Sequence, residues 1–193
     1  MDTSERSALL VVDVQNDFCT GGALAVPGSE GVVRALNHHI EHAVEAGMPV
    51  YASRDWHPQV TTHFEQFGGL WPVHCVQGSE GARFHPDLRL PPDAIVVTKG
   101  DRPDAHGYSA FEGRTAGGAP LLEDLQRRGI THLYVGGLAT DYCVRASTLD
   151  ALSSGIRVTL LSDAVSGVEV QAGDSERALH EMRDHGAELA ASL

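Results

Sequence analysis

Short apolar runs and longer amphipathic stretches alternate along this chain, each with its own period. Residues 8–12 (ALLVV), 49–52, 94–98, 132–135 and 157–161 are dense in Val, Leu, Ile, Ala and Tyr, and a fainter run covers 187–189. Runs this short, without polar alternation, fit strands buried on both faces. Residues 29–45, 118–128, 143–152 and 175–185 instead carry apolar positions three and four apart, the period of a half-buried helix. Gly47, Gly129, Gly155 and Gly186 each follow a helical stretch and precede a run, as helix C′ glycines do. Strand and helix alternating at this spacing predict an α/β fold, with right-handed crossovers and a parallel sheet covered by helices on both faces. No linker or repeat interrupts the rhythm, so residues 1–193 are expected to form a single domain.

Two stretches break the pattern. Residues 54–93 and 99–117 show little periodicity and are rich in His, Gly, Pro and aromatic residues. Loops of that length in a compact domain are usually functional. Both follow predicted strands, so they leave the carboxyl edge of the sheet, where open α/β folds bind their ligands.

Composition narrows the class. A formal charge of −12, from 14 basic against 26 acidic residues, argues against nucleic acid or an anionic membrane surface as partner. No apolar run approaches the ~20 residues of a membrane-spanning helix. The first run leads directly into Asp13 with no basic leader ahead of it, so no targeting segment is expected. Cys19, Cys75 and Cys143 are an odd number without close spacing, which predicts no disulfide framework and a reducing, cytoplasmic setting. A soluble enzyme fits all of this, and a homo-oligomer is left open.

Candidate chemistry gathers at predicted strand ends. Residues 133–152 (LYVGGLATDYCVRASTLDAL) carry a strand through Gly136 and Gly137 into a helical pattern. With Thr140 or Asp141 as N-cap, Cys143 falls in the first turn, where backbone N–H groups and the helix dipole favour thiolate and can hold an oxyanion. A lone cysteine is more commonly a small buried hydrophobe, so its neighbours must decide. Asp13 ends the first strand and can take a thiol proton, although an Asx-turn or cap is the plainer reading. Lys99 ends the third strand, either as a solvated lysine or as a partner for Asp13 that biases Cys143 towards thiolate. Three reactive types at one edge of one sheet favour the catalytic reading.

A second group lies in the 54–93 loop. Asp55 and His57 have i, i+2 spacing just past a strand and can point the same way, and His63 and His74 follow. A carboxylate with two or three imidazoles suits Zn²⁺, Fe²⁺ or Mn²⁺. His38, His39, His42, His180 and His185 sit in helical stretches and are read as solvated.

These residues carry a resemblance. DVQNDFC-GGALAVPG (Asp13 to Gly28), RDWHP, WPVHCVQG, KG at Lys99, YSAF and GLATDYCV, in that order, resemble the nicotinamidases, which include pyrazinamidases and belong to the isochorismatase-like cysteine hydrolases. The similarity spans nearly the whole chain, and its WPVHCVQG and GLATDYCV blocks are the specific ones. It implies a six-stranded parallel sheet with helices on both faces, and hydrolysis of nicotinamide to nicotinate and ammonia. Asp13, Lys99 and Cys143 then match a catalytic triad, and Asp55, His57 and His74 match ligands of one divalent metal ion, zinc first, with iron or manganese as alternatives. His63 is taken as a further ligand, at a position where many members carry serine and some a fourth histidine. Phe18 and Trp71 match aromatics that sandwich a pyridine ring, and Leu138 and Ala139 match further substrate-binding positions on the wall of that site. The Leu138–Ala139 peptide matches a cis bond that turns the Ala139 N–H towards an oxyanion shared with Cys143. Ser162 and Asp163 receive no role.

Three other readings compete. A sister hydrolase of isochorismate or an N-carbamoyl amide generally lacks the Asp55/His57/His74 set. An Fe(II) oxygenase built on two histidines and a carboxylate leaves Asp13, Lys99 and Cys143 without a task. A non-catalytic binding protein does not need every motif position filled.

Overall fold

A computed structural model of the protein describes residues 6–193; residues 1–5 of the expected single domain lie outside the described residues. One seven-stranded sheet runs through it, in the order β4-β3-β2-β1-β5-β6-β7. The strands are β1 (Ser7–Val12), β2 (Val50–Asp55), β3 (Ile95–Lys99), β4 (Arg114–Thr115), β5 (His132–Leu138), β6 (Arg157–Ser166) and β7 (Glu188–Ala190). All neighbours are parallel except β4, which pairs antiparallel with β3 through Val97 and Thr98. The helices are α1 (Ser29–Glu45), α2 (Leu121–Arg127), α3 (Arg145–Ser153) and α4 (Asp174–Asp184).

The apolar run of β1 explains its central place. Ala8 to Val12 have no solvent exposure. Ala8, Leu10 and Val12 pack with α2, α3 and α4 on one face, and Leu9 and Val11 with α1 on the other. Each fully buried Val or Leu contributes roughly 1.5–3 kcal/mol, so neither face of this strand tolerates a polar residue. Among the described residues no helix is long and apolar enough to cross a membrane.

The expected layered architecture is therefore present, with local differences. The seventh strand, β4, was not expected; two residues on an edge carry no readable period. β6 continues past residue 161 to Ser166 because exposed Ser162 and Asp163 end the apolar run without ending the pairing. α2 begins at Leu121 rather than at 118, since Pro120 holds the N-cap and Gly118 sits at φ +82°. The four glycines expected after helices all have positive φ. His39 is the clear correction: it is 1% exposed, not solvated, and its Nε2 lies 3.0 Å from Asp163 Oδ1. It lies on the buried side of α1 with Leu36, Ile40 and Ala43, and its partner is 124 residues away, beyond any local pattern.

Successive strands β1, β2 and β3 progress one way across the sheet, while β5, β6 and β7 progress the other way. The order reverses between β1 and β5, and a crevice at such a switch point is the natural ligand site. Gly137 makes that junction close: a Cβ there would stand 2.1 Å from the Val12 carbonyl oxygen, and φ is +131°. The β5–β6 register shifts at the same place, between Val135 and Gly137.

Candidate active site

The carboxyl ends of β1, β2 and β3 deliver Asp13, Asp55 and Lys99 to one buried point, and the turn after β5 delivers Cys143. Lys99 is 1% exposed. Its Nζ lies 2.7 Å from Asp13 Oδ2, donates to Asp55 Oδ1 at 2.5 Å and to the Gly107 carbonyl at 2.6 Å, and approaches Cys143 Sγ at 3.6 Å. Ser53 Oγ donates to Asp13 Oδ1 at 2.7 Å. Asp13 Oδ2, buried, faces the Lys99 ammonium. The Cys143 sulfur and the carboxylate oxygens of Asp13 and Asp55 lie within 4.8 Å of one another. The three residues expected at one sheet edge are thus in contact around a single ammonium.

Electrostatics sets the resting protonation. Burial pushes the Cys143 thiol well above its ordinary range, and Lys99 pulls it back only in part. Burial also raises Asp13, again against Lys99. Burial opposes the charge on Lys99, yet Asp13 and Asp55 hold its pKa well above that of a free lysine. Burial works against Asp55 too, but Lys99 and His57 keep its carboxyl well below the usual range. Burial thus works against the thiolate that a helix start and Lys99 favour, beside a carboxylate whose own pKa burial raises, which suits transfer of the thiol proton to Asp13. The cap expectation fails as well. Thr140–Val144 form one π-helical turn ahead of α3, and neither Thr140 nor Asp141 caps it with a side chain. The Tyr142 and Val144 N–H groups both donate to the Ala139 carbonyl, at 3.1 and 3.0 Å. The Leu138–Ala139 peptide is cis, as expected.

Beside this cluster the ring nitrogens of His57, His63 and His74 approach within 4.8 Å of one another, all buried. His57 Nδ1 donates to the Gly100 carbonyl at 3.0 Å, and His74 Nδ1 to the Pro72 carbonyl at 2.7 Å. Those bonds place the protons on Nδ1 and leave the Nε2 lone pairs to ligate. His57 Nε2 is buried without a hydrogen-bond partner, 3.6 Å from Asp55 Oδ2. Burial, reinforced by His57 and His74, lowers the pKa of His63 to about 3, and burial lowers that of His74 as well. Buried, inward-facing imidazoles with an orphaned nitrogen on His57 and an adjacent carboxylate fit a borderline divalent cation. Gly100 is part of this fit, because a Cβ there would lie 2.6 Å from His57 Cε1 and φ is +64°.

Cys143, Ala139 and Asp55 line a small cavity together with Phe18, Trp71, His63 and His74. Leu138, expected on its wall, is fully buried and packs in the α1-side core instead. Leu24, Tyr108, Tyr142 and Val168 also line it and were not singled out from sequence. Trp71 Nε1 donates to the Tyr108 hydroxyl at 2.9 Å, and the Trp71 and Tyr142 rings meet edge to face at 4.8 Å. Tyr108 and Tyr142 stood inside the YSAF and GLATDYCV blocks, so their place in those blocks was the available signal. Gln15 had none. Fully buried, it accepts from the Asp55 N–H at 2.8 Å and donates to the Asp55 carbonyl at 2.8 Å, locking the backbone of the carboxylate between Lys99 and the histidines.

Comparison with known proteins agrees with this geometry. Residues 7–192 match the isochorismatase domain family. A nicotinamidase of Escherichia coli (strain K12) is 43% identical, over 94% of this chain and 93% of its own length. A nicotinamidase/pyrazinamidase of Mycobacterium tuberculosis (strain ATCC 25618 / H37Rv) is 41% identical, over 96% of this chain and 98% of its own. The crystal structure of a pyrazinamidase of Pyrococcus horikoshii in complex with zinc superposes with a TM-score of 0.88 at 44% identity, covering 96% of this chain and 98% of that one. The chain belongs to the isochorismatase domain family, beside its nicotinamidases and pyrazinamidases.

Proposed function

We propose that this protein is a cysteine amidohydrolase that converts nicotinamide to nicotinate and ammonia, and that it hydrolyses pyrazinamide by the same route. One observation carries the reading: a buried Asp13–Lys99–Cys143 cluster and a three-histidine cluster meet in one aromatic-walled cavity. The identity of its relatives supports the substrate class.

Asp13 takes the proton of Cys143 Sγ, and the sulfur attacks the carboxamide carbon. The backbone N–H groups of Ala139 and Cys143 receive the developing oxyanion, a contribution of ~3–4 kcal/mol for each donor. Asp13 returns its proton to the amide nitrogen as the C–N bond breaks and ammonia leaves. It then deprotonates the water that attacks the thioester, which releases nicotinate and restores the thiol. Lys99 keeps Asp13 oriented and offsets the charge on sulfur. Phe18 and Trp71 hold the ring between them. Asp55, His57, His63 and His74 would hold one divalent ion, zinc by preference, which supplies an anchor for the ring nitrogen. Three buried, unpaired cysteines support a reducing, cytoplasmic setting for this single domain.

Ammonia release from nicotinamide, pyrazinamide and benzamide, by protein of measured metal content, tests the proposal. The two heteroaromatic amides are expected to turn over, while benzamide, which has the same scissile bond but no ring nitrogen, lags far behind. Benzamide turned over as fast as nicotinamide would refute the anchoring role, and no ammonia from any of the three would refute the activity.

A further inference from the structure

Asp141 stands two residues before the nucleophile, is 9% exposed, and has no task in the reaction above. Its carboxylate turns away from its own helix to the loop between β6 and α4. Oδ1 accepts the Val168 N–H at 2.9 Å, and Oδ2 accepts the Glu169 N–H at 2.9 Å. Val168 lines the same cavity as Cys143. The loop needs such a hold, because Glu169 sits at φ +57°, a left-handed conformation that costs a non-glycine residue roughly 1–2 kcal/mol. A second carboxylate continues the chain of contacts: Glu169 accepts the Gly173 and Ser175 N–H groups at 2.8 and 2.9 Å, at the start of α4. Gly167 closes the approach, since a Cβ there would lie 1.9 Å from Ser175 Oγ and 3.1 Å from Asp141 Oδ1.

We propose that Asp141 is a positioning residue that ties the Val168 wall of the substrate cavity to the turn bearing Cys143, and so sets how tightly the ring is held. The proposal rests on the amidohydrolase reading for its kinetic consequence, though not for the anchor itself. Two acceptor oxygens for two successive N–H groups is a task only a carboxylate performs. Asparagine, of the same shape, offers one acceptor and turns its amide donor against the other N–H.

The test is Asp141→Asn in the metal-loaded enzyme. KM for nicotinamide is expected to rise about tenfold with kcat within about threefold of wild type, the pattern of a lost binding contact rather than a lost catalytic one. Alkylation of Cys143 by iodoacetamide, which does not use the ring wall, should keep its rate. Gly167→Ala keeps the Asp141 carboxylate but wedges a methyl between it and Ser175, and should raise KM likewise; it carries the test should Asp141→Asn fold poorly. If Asp141 acts through Val168, Asp141→Asn adds little to the KM of Val168→Ala, whereas independent residues would multiply their effects. Amide hydrogen exchange at 168 and 169 should accelerate in Asp141→Asn whether or not nicotinamide is the substrate, so failure of the anchor and failure of the activity are separable. Unchanged exchange, KM effects that multiply, or a kcat and alkylation rate that fall together would each overturn the proposal.

Discussion

Replacing Lys99 with methionine is the sharpest test of the buried cluster. Methionine keeps most of the length and the apolar stem of lysine and removes the ammonium, with its charge and its donors. Two carboxylates, Asp13 and Asp55, then face each other without the ammonium that lies 2.7 and 2.5 Å from them, and the Gly107 carbonyl loses its donor. Ser53 still serves Asp13, and Gln15 still holds the Asp55 backbone, so the cavity keeps its shape. Removing one partner of a buried ion pair costs about 3–5 kcal/mol, with the lost carbonyl bond included in that range rather than added to it. For a domain of this size each kcal/mol lowers Tm by roughly 2–4 °C, so a drop of about 6–20 °C is expected by calorimetry. Ammonia release should fall at least ~1,000-fold, because the three groups act as a unit. The decisive arm is Lys99→Met combined with Asp13→Asn. It removes one of the two stranded charges and should recover about 1–3 kcal/mol of the loss while activity stays absent. A single variant within about 1 kcal/mol of wild type, or a double variant less stable than the single, would refute the reasoning.

Cys143→Ala should abolish turnover and leave the melting temperature nearly unchanged, since one sulfur leaves a site already walled by Ala139 and Tyr142; retained turnover in that variant would exclude Cys143 as nucleophile. In the wild-type protein, iodoacetamide should label Cys143 ahead of Cys19 and Cys75, which lie in the core away from the cavity wall, as peptide mapping would read out. Gly100→Ala drives a methyl against His57, so metal content by elemental analysis should fall well below one ion per chain; full occupancy would show that the His57 ring can shift without loss. Asp124, buried, accepts from the Tyr51 hydroxyl at 2.7 Å and from Arg128 Nε at 2.8 Å, and although burial opposes its charge these donors hold its pKa below the usual range. A depressed carboxyl stabilises the fold above the unfolded-state pKa of ~3.9 and loses that contribution as pH falls through its folded value. The cost of Asp124→Asn, about 1–3 kcal/mol at pH 7 by urea unfolding, should therefore shrink below pH ~4. A cost that grew on acidification would contradict the sign.

The alternation of short apolar runs with helical periods was sufficient to specify layered α/β architecture, because burial on both faces forces a run such as 8–12 to be apolar throughout. It also located the reactive residues at strand ends, since a charged residue directly after a buried run has nowhere to go but the sheet edge. That is why Asp13 and Lys99 were legible, and the ordered blocks around His57, His74 and Cys143 made the metal and nucleophile candidates legible with them. Local pattern does not reach across the sheet. The one ammonium shared by Asp13 and Asp55, the Gln15 clamp and the His39–Asp163 pair join residues 40 to 124 positions apart, and only the order in which the strands lie brings them together. The charge state of Cys143 belongs to the same class. A helix start viewed in isolation favours thiolate, but burial raises the pKa of the thiol against the pull of Lys99. Asp141 makes the point at shortest range. Its position before Cys143 reads as a helix cap, and only the path of the β6–α4 loop, set by how β6 pairs with β5, turns its carboxylate into an anchor for another part of the chain.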